Sequence, residues 1–256
     1  MRVENISVGS VTLEVLIGGS GATVVLLPPS GSDIAQFDHF APLLHKAGFQ
    51  TVAVNPRGIS STGPIEAATL HELASDIAGV IGTLGSAPVH LLAASFGTRI
   101  ARCLATDSPD LVRTVIMVSA VGLTPSNDAE IIAAAKTTFK QDISNEEWEE
   151  ATALAFFSPA SDSSIVQQLK IWHTVHDAQM VASRATPPEE WWAGGQAPML
   201  VIEGLDDRIA PGNGSDMQNR LGDRVTVVKL TDAGHLPILE QPAKVAEAVV
   251  AFMRDH

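Results

Sequence analysis

The chain has 256 residues, of which 45% are hydrophobic and 18% charged, which excludes a disordered or low-complexity protein and suits one large α/β domain with room for an insertion. Its formal net charge of -13 argues against a nucleic-acid partner, because such binding is driven by Lys and Arg releasing counterions from phosphates. The opening MRVENISVGSVTLEV lacks the unbroken apolar run of a leader, and no run approaches the roughly 20 apolar residues of a membrane span, so a cytoplasmic location without a membrane partner is expected.

In chain order, ISV and VTLEVLI form a β-hairpin around Gly9 and Ser10, and TVVLLPP is a short strand stopped by two prolines. DIAQFDHFAPLLHKAG has apolar residues at helical spacing up to Gly48, and FQTVAVNPRG is a buried strand ending in a turn. TLHELASDIAGVIGTLG is an amphipathic helix with Thr69 as N-cap and Glu72 completing a capping box. VHLLAA is then a strand, FGTRIARCLATD a helix and LVRTVIMVSA a strand. From Val121 to about Gln196 the rhythm changes to helical pieces rich in Ala, Trp and Phe. Alternation returns with PMLVIEG, a helix ending near Leu221, RVTVVKL, and a last helix from Pro242 to Met253. Apolar strands separated by helices predict a mostly parallel sheet covered on both faces. The domain reading is a core of residues 1–121 and 197–256, with 122–196 inserted as a helical cap after the sixth strand.

In open α/β sheets reactive groups gather beyond the carboxyl ends of the strands. Just past the carboxyl ends of four expected strands stand PPSGS, Ala94-Ser95-Phe96, the pair Asp206 and Asp207, and TDAGH with His235. A hydroxyl, a carboxylate and an imidazole thus come after three separate strands in that order. A serine hydroxyl becomes an effective nucleophile when an imidazole takes its proton, and a carboxylate must hold that imidazole in the right tautomer.

AASFG resembles the nucleophile elbow of the α/β-hydrolase superfamily, GLDDRIAP its Gly-x-x-Asp-x-x-x-Pro acid loop, and GHLPILEQP its histidine loop. NPRGISST is similar to the family's Arg-Gly turn after the fourth strand, where Arg57 reads as a turn residue binding carbonyls or a carboxylate. The resemblance implies the α/β-hydrolase fold with an eight-stranded sheet. It also implies a catalytic triad of Ser95, Asp207 and His235, with Asp206 as the alternative acid, and no cofactor. Asp232 reads as a turn former. The oxyanion donors implied are the N–H groups of Phe96 and Ser30. Relatives carry His-Gly where this chain has Pro28-Pro29, which have no N–H to give. Ala93 replaces the usual first glycine of the elbow.

Phe37, Phe96, Trp148 and Trp172 are expected to line an apolar substrate pocket under the cap. His173 and His176 share a helix face, but no further ligands stand at metal spacing, so no metal is expected. Cys103 is the sole cysteine and reads as a small buried hydrophobe, without a disulfide or a Cys-based zinc site. The expected activity is hydrolysis of a small or medium apolar carboxylic ester or lactone through an acyl-enzyme. C–C bond or amide hydrolysis, cofactor-free perhydrolysis, and ligand binding with weak turnover are the alternatives. The composition leaves monomer and homodimer both open.

Overall fold

The computed structural model describes residues 1–123 and 126–256; Thr124 and Pro125, inside the expected cap, lie outside the described residues. The sheet has eight strands: β1 (Arg2–Val8), β2 (Val11–Gly19), β3 (Ala22–Leu27), β4 (Phe49–Val54), β5 (Val89–Ala94), β6 (Val112–Val118), β7 (Met199–Gly204) and β8 (Val225–Leu230). Their spatial order is β1-β2-β4-β3-β5-β6-β7-β8. The pairs β1–β2 and β2–β4 are antiparallel, and every later pair is parallel.

Burial follows from that order. The central strands β5 and β7 are buried at every residue, whereas β1, on the edge, is mostly exposed. On the central strands alternate residues feed two separate apolar layers. Leu91, Ala93, Val115 and Met117 pack with α2 (Leu70–Leu84), α3 (Gly97–Asp107) and Met217 of α7 (Asn213–Leu221). Leu92, Ala94, Ile116 and Val118 pack with α1 (Ala41–Lys46) and α9 (Pro242–Asp255) on the other face. The fold is therefore the mostly parallel α/β sheet with helices on both faces that the strand pattern predicts.

Between β6 and β7 the described chain forms α4 (Ala129–Thr138), α5 (Asn145–Phe156) and α6 (His173–Ala185), with no strand among them. Asp128 and Ser144 cap the first two of these helices through their side-chain oxygens. The expected single helix before Gly48 is instead split: a 3-10 turn at Ile34–Phe37 and then α1. Pro42 falls in the first turn of α1, where its missing N–H leaves no intrahelical bond unmade. A short helix, α8 (Pro237–Glu240), comes after the histidine loop.

Candidate active site

The strand β5 runs directly into α3, and the turn between them forces Ser95 into a left-handed backbone with φ 48°. Its amide is tied to the Val118 carbonyl at 2.9 Å, and its carbonyl accepts from Thr98 Oγ1 at 2.6 Å and the Thr98 amide at 3.0 Å. Such strain persists only where surrounding bonds hold it. Glycine at 97 is required by packing, since a Cβ would lie 2.7 Å from the Leu27 oxygen and 2.8 Å from the Pro28 oxygen.

Ser95 Oγ lies 2.9 Å from His235 Nε2, and His235 Nδ1 lies 2.8 Å from Asp207 Oδ2. Asp207 and His235 are both buried. Burial pushes the Asp207 carboxyl up, but the His235 charge and hydrogen bond, with the amides of Ala210 and Ile209, outweigh it and hold the pKa below the usual carboxylate range. Its second oxygen accepts those two amides at 2.9 Å each. The carboxylate is thus charged and fixed in orientation. Asp206 faces elsewhere, accepting from Ser158 Oγ at 2.6 Å, and Asp232 takes a turn conformation with φ 55°.

The histidine loop is gripped from two sides. The His235 amide donates to the Phe156 carbonyl at 2.7 Å, at the end of α5. Glu240 of α8 accepts from the amides of Gly234 and Ser158 and from Ser161 Oγ. The glycine of the acid loop, Gly204, admits the same loop closely, since a Cβ there would lie 2.2 Å from the carbonyl oxygens of Ala233 and Gly234.

Ser95 and His235 open into a cavity of about 360 Å³ lined by Pro29, Ser30, Gln36, Thr138, Phe139, Phe156, Leu169, Ile171 and Leu236 among others. Ser30 therefore shares the cavity with Ser95. Neither the Phe96 nor the Ser30 amide has a hydrogen-bond acceptor among the described residues. The expected pocket aromatics do not line this cavity. Phe37 and Phe96 are buried in the two core layers, Trp148 donates to the Thr138 carbonyl, and Trp172 donates to Asp33. Phe139, Phe156, Leu169 and Ile171 take that place, and nothing in the local sequence distinguishes them from other apolar residues of the insertion.

His173 and His176 face different partners: His173 Nδ1 lies 3.1 Å from the Phe139 carbonyl, while His176 Nδ1 lies 2.8 Å from Ser30 Oγ. Among the described residues one group, His71, Cys103 and Asp107, brings three metal-type donors within 4.8 Å of one another. They already satisfy each other, at 2.7 Å between His71 and Asp107 and 3.3 Å between His71 and Cys103, and none lines the Ser95 cavity. Arg57 holds Asp76, Glu72 and the Glu66 carbonyl, as a turn residue would.

Comparison with known proteins bears on the whole arrangement. The relative named "Putative non-heme bromoperoxidase BpoC", from Mycobacterium tuberculosis, is 25% identical over 263 aligned positions, covering 91% of this chain and 94% of its own length. The 2-(acetamidomethylene)succinate hydrolase of Mesorhizobium japonicum is 33% identical over 132 positions, half of this chain and 45% of that one. In fold, the chain is similar to a thermophilic esterase from Thermogutta terrifontis, with a TM-score of 0.77 at 20% identity over 100% of this chain and 99% of the other. The profile of the alpha/beta hydrolase family matches residues 24–248, from within β3 to within α9, and the chain belongs to that family.

Proposed function

We propose that the chain is a serine hydrolase that cleaves a small or medium apolar carboxylic ester or lactone through an acyl-enzyme. The observation that carries this reading is the unbroken hydrogen-bond relay from Asp207 through His235 to Ser95, opening onto an apolar cavity. His235 Nε2 takes the Ser95 proton as Oγ attacks the substrate carbonyl carbon, and Asp207 stabilises the imidazolium that forms. The oxyanion is held by the Phe96 and Ser30 N–H groups, the first of them at the start of α3, where the helix dipole favours negative charge. His235 then protonates the leaving alkoxide, and the acyl-enzyme is released by water whose proton passes to His235. A ring of Phe139, Phe156, Leu169, Ile171 and Leu236 suits a compact apolar group beside the carbonyl. Residues 122–196, as a cap over the carboxyl ends of the strands, supply most of that ring.

On a panel of p-nitrophenyl esters, Ser95→Ala is expected to abolish turnover and labelling by a fluorophosphonate probe. Full turnover by that variant would sink the proposal. A protein whose Ser95 is inert to the probe but which binds apolar ligands tightly would instead be a binding protein. The relative named as a non-heme bromoperoxidase favours one second reaction at the same serine, attack of hydrogen peroxide on the acyl-enzyme to release a peracid and regenerate Ser95. Peracid formation from acetate and peroxide, lost in Ser95→Ala, is its test.

A further inference from the structure

The loop carrying the expected second oxyanion donor is built unusually. Pro28 and Pro29 have no N–H, so Ser30 provides the first amide after β3. Within the loop the only backbone bond is weak, from the Ser32 amide to the Pro29 carbonyl at 3.2 Å. The firm contacts come from the insertion. Gln179 Oε1 accepts the Gly31 amide at 2.9 Å and lies 3.0 Å from Ser30 Oγ. The Trp172 amide donates to the Gly31 carbonyl at 2.7 Å, and His176 Nδ1 lies 2.8 Å from Ser30 Oγ. Gly31 is left-handed with φ 61°, and a Cβ there would lie 3.0 Å from the His176 Cβ and 3.2 Å from the Trp172 oxygen. The insertion is seated against the loop at that point.

The protons in this cluster can be assigned. An amide N–H has only a proton to offer, so the Gln179 atom facing Gly31 is the carbonyl oxygen. Ser30 has one hydroxyl proton. Giving it to His176 would leave the Ser30 and Gln179 oxygens facing each other at 3.0 Å without a proton between them. Giving it to Gln179, with His176 donating from Nδ1–H, satisfies all three groups. Burial, opposed by the charge of Asp177 and helped by those of His173 and Arg184, pushes the His176 pKa down and so favours the neutral ring. Its ring stacks on Phe139, a wall of the Ser95 cavity, with centroids 3.7 Å apart. The Ser30 hydroxyl is thereby occupied, and only the Ser30 amide is left for an oxyanion.

We infer that Gln179 is a positioning residue for catalysis: from α6 it fixes the Ser30–Gly31 peptides, so that the insertion, not the sheet, sets the second oxyanion donor. This rests on the serine-hydrolase reading above. Its signature is selective for tetrahedral, oxyanion-bearing species, because ground-state substrate makes little use of that donor. Gln179→Met keeps the volume and removes the acceptor. It is expected to lower kcat by about tenfold to a hundredfold with KM within about twofold of the parent. Affinity for phenylboronic acid, whose adduct with Ser95 carries the oxyanion, should fall by a similar factor. Gln179→Leu serves if the methionine variant does not fold. A folded variant with parental kcat and parental boronate affinity overturns the inference, as does one in which KM rises while kcat stays unchanged. Failure of the parent itself to bind the boronate and to label with fluorophosphonate would instead overturn the hydrolase reading.

Discussion

At Gly234 the chain passes so close to the end of α5 that a Cβ would sit 2.6 Å from the Phe157 carbonyl carbon and 2.7 Å from the Ser158 nitrogen. Both are backbone atoms, so neither can turn aside as a side chain would. Gly234→Ala is therefore expected to shift His235, its neighbour, and to lower kcat by on the order of a hundredfold, since a 1 Å misplacement of a reacting group has that scale of effect. Steady-state ester hydrolysis on the folded variant checks it, and a parental kcat would mean that the loop has another way to yield. His90 makes a different residue-scale prediction. It is buried on β5, 2.8 Å from Thr114 Oγ1, and burial, then the charges of Arg113 and His256, lower its pKa from 6.5 to about 4. Below pH 6.5 the unfolded chain takes up a proton that the folded one refuses. Stability present above pH 6.5 is thus lost as pH falls to about 4, by roughly 3 kcal/mol at most from this site. Urea titrations at about pH 7, 5.5 and 4.5 should show a flatter pH dependence for His90→Gln than for the parent.

At the scale of elements, α2 and the turn after β4 stabilise each other. Thr69 accepts the Glu72 amide at 3.4 Å, and Glu72 accepts from the Ala68 amide and from Arg57, both at 2.8 Å. Arg57 also makes a two-pronged contact with Asp76, and both of those side chains are buried. Asp76→Leu would leave the buried Arg57 charge with Glu72, which is partly exposed, as its remaining counter-charge, with an expected loss of up to about 3 kcal/mol in unfolding free energy. The double variant Arg57→Met, Asp76→Leu should recover most of that loss, which separates a stranded charge from a simple packing defect. Elements of this kind were legible in the sequence because their signals are local: the capping box, strands of continuous apolar residues, and glycines at the elbow and acid loop. Ser95, Asp207 and His235 could be collected because each lies just past the end of a strand. The pocket aromatics could not. Trp148 and Trp172 carry the same apolar signal as Phe139 and Phe156, and which of them faces the cavity depends on how α4, α5 and the chain after them pack. Gln179 was invisible for a related reason: its partners lie 148 and 149 positions away in sequence.

At the scale of the whole molecule, the sheet alone does not complete the site. The His235 amide is anchored at Phe156, the Gly234 amide at Glu240 together with Ser158 and Ser161, and the Ser30 loop at Trp172, His176 and Gln179. The chain between β6 and β7 joins the two apolar layers through Phe157, Ile165, Val166, Ala182, Trp191 and Trp192, but its helices α4 and α5 bury only Ile131, Ala134, Thr138, Thr152 and Ala155, whereas β5 and β7 are buried at every residue. Segments of lower local stability open at lower denaturant than the core that carries them. Activity should therefore disappear before the fold does: in a urea series, the midpoint for ester hydrolysis is expected to precede the midpoint for far-ultraviolet circular dichroism. Coincident midpoints would mean that insertion and sheet unfold as one cooperative unit. The carbonyl of Phe156 also limits exchange of parts between relatives. A transplanted insertion could preserve every apolar contact and every pocket side chain, yet leave the recipient silent unless some backbone oxygen arrived at that one spot to receive the amide of the histidine.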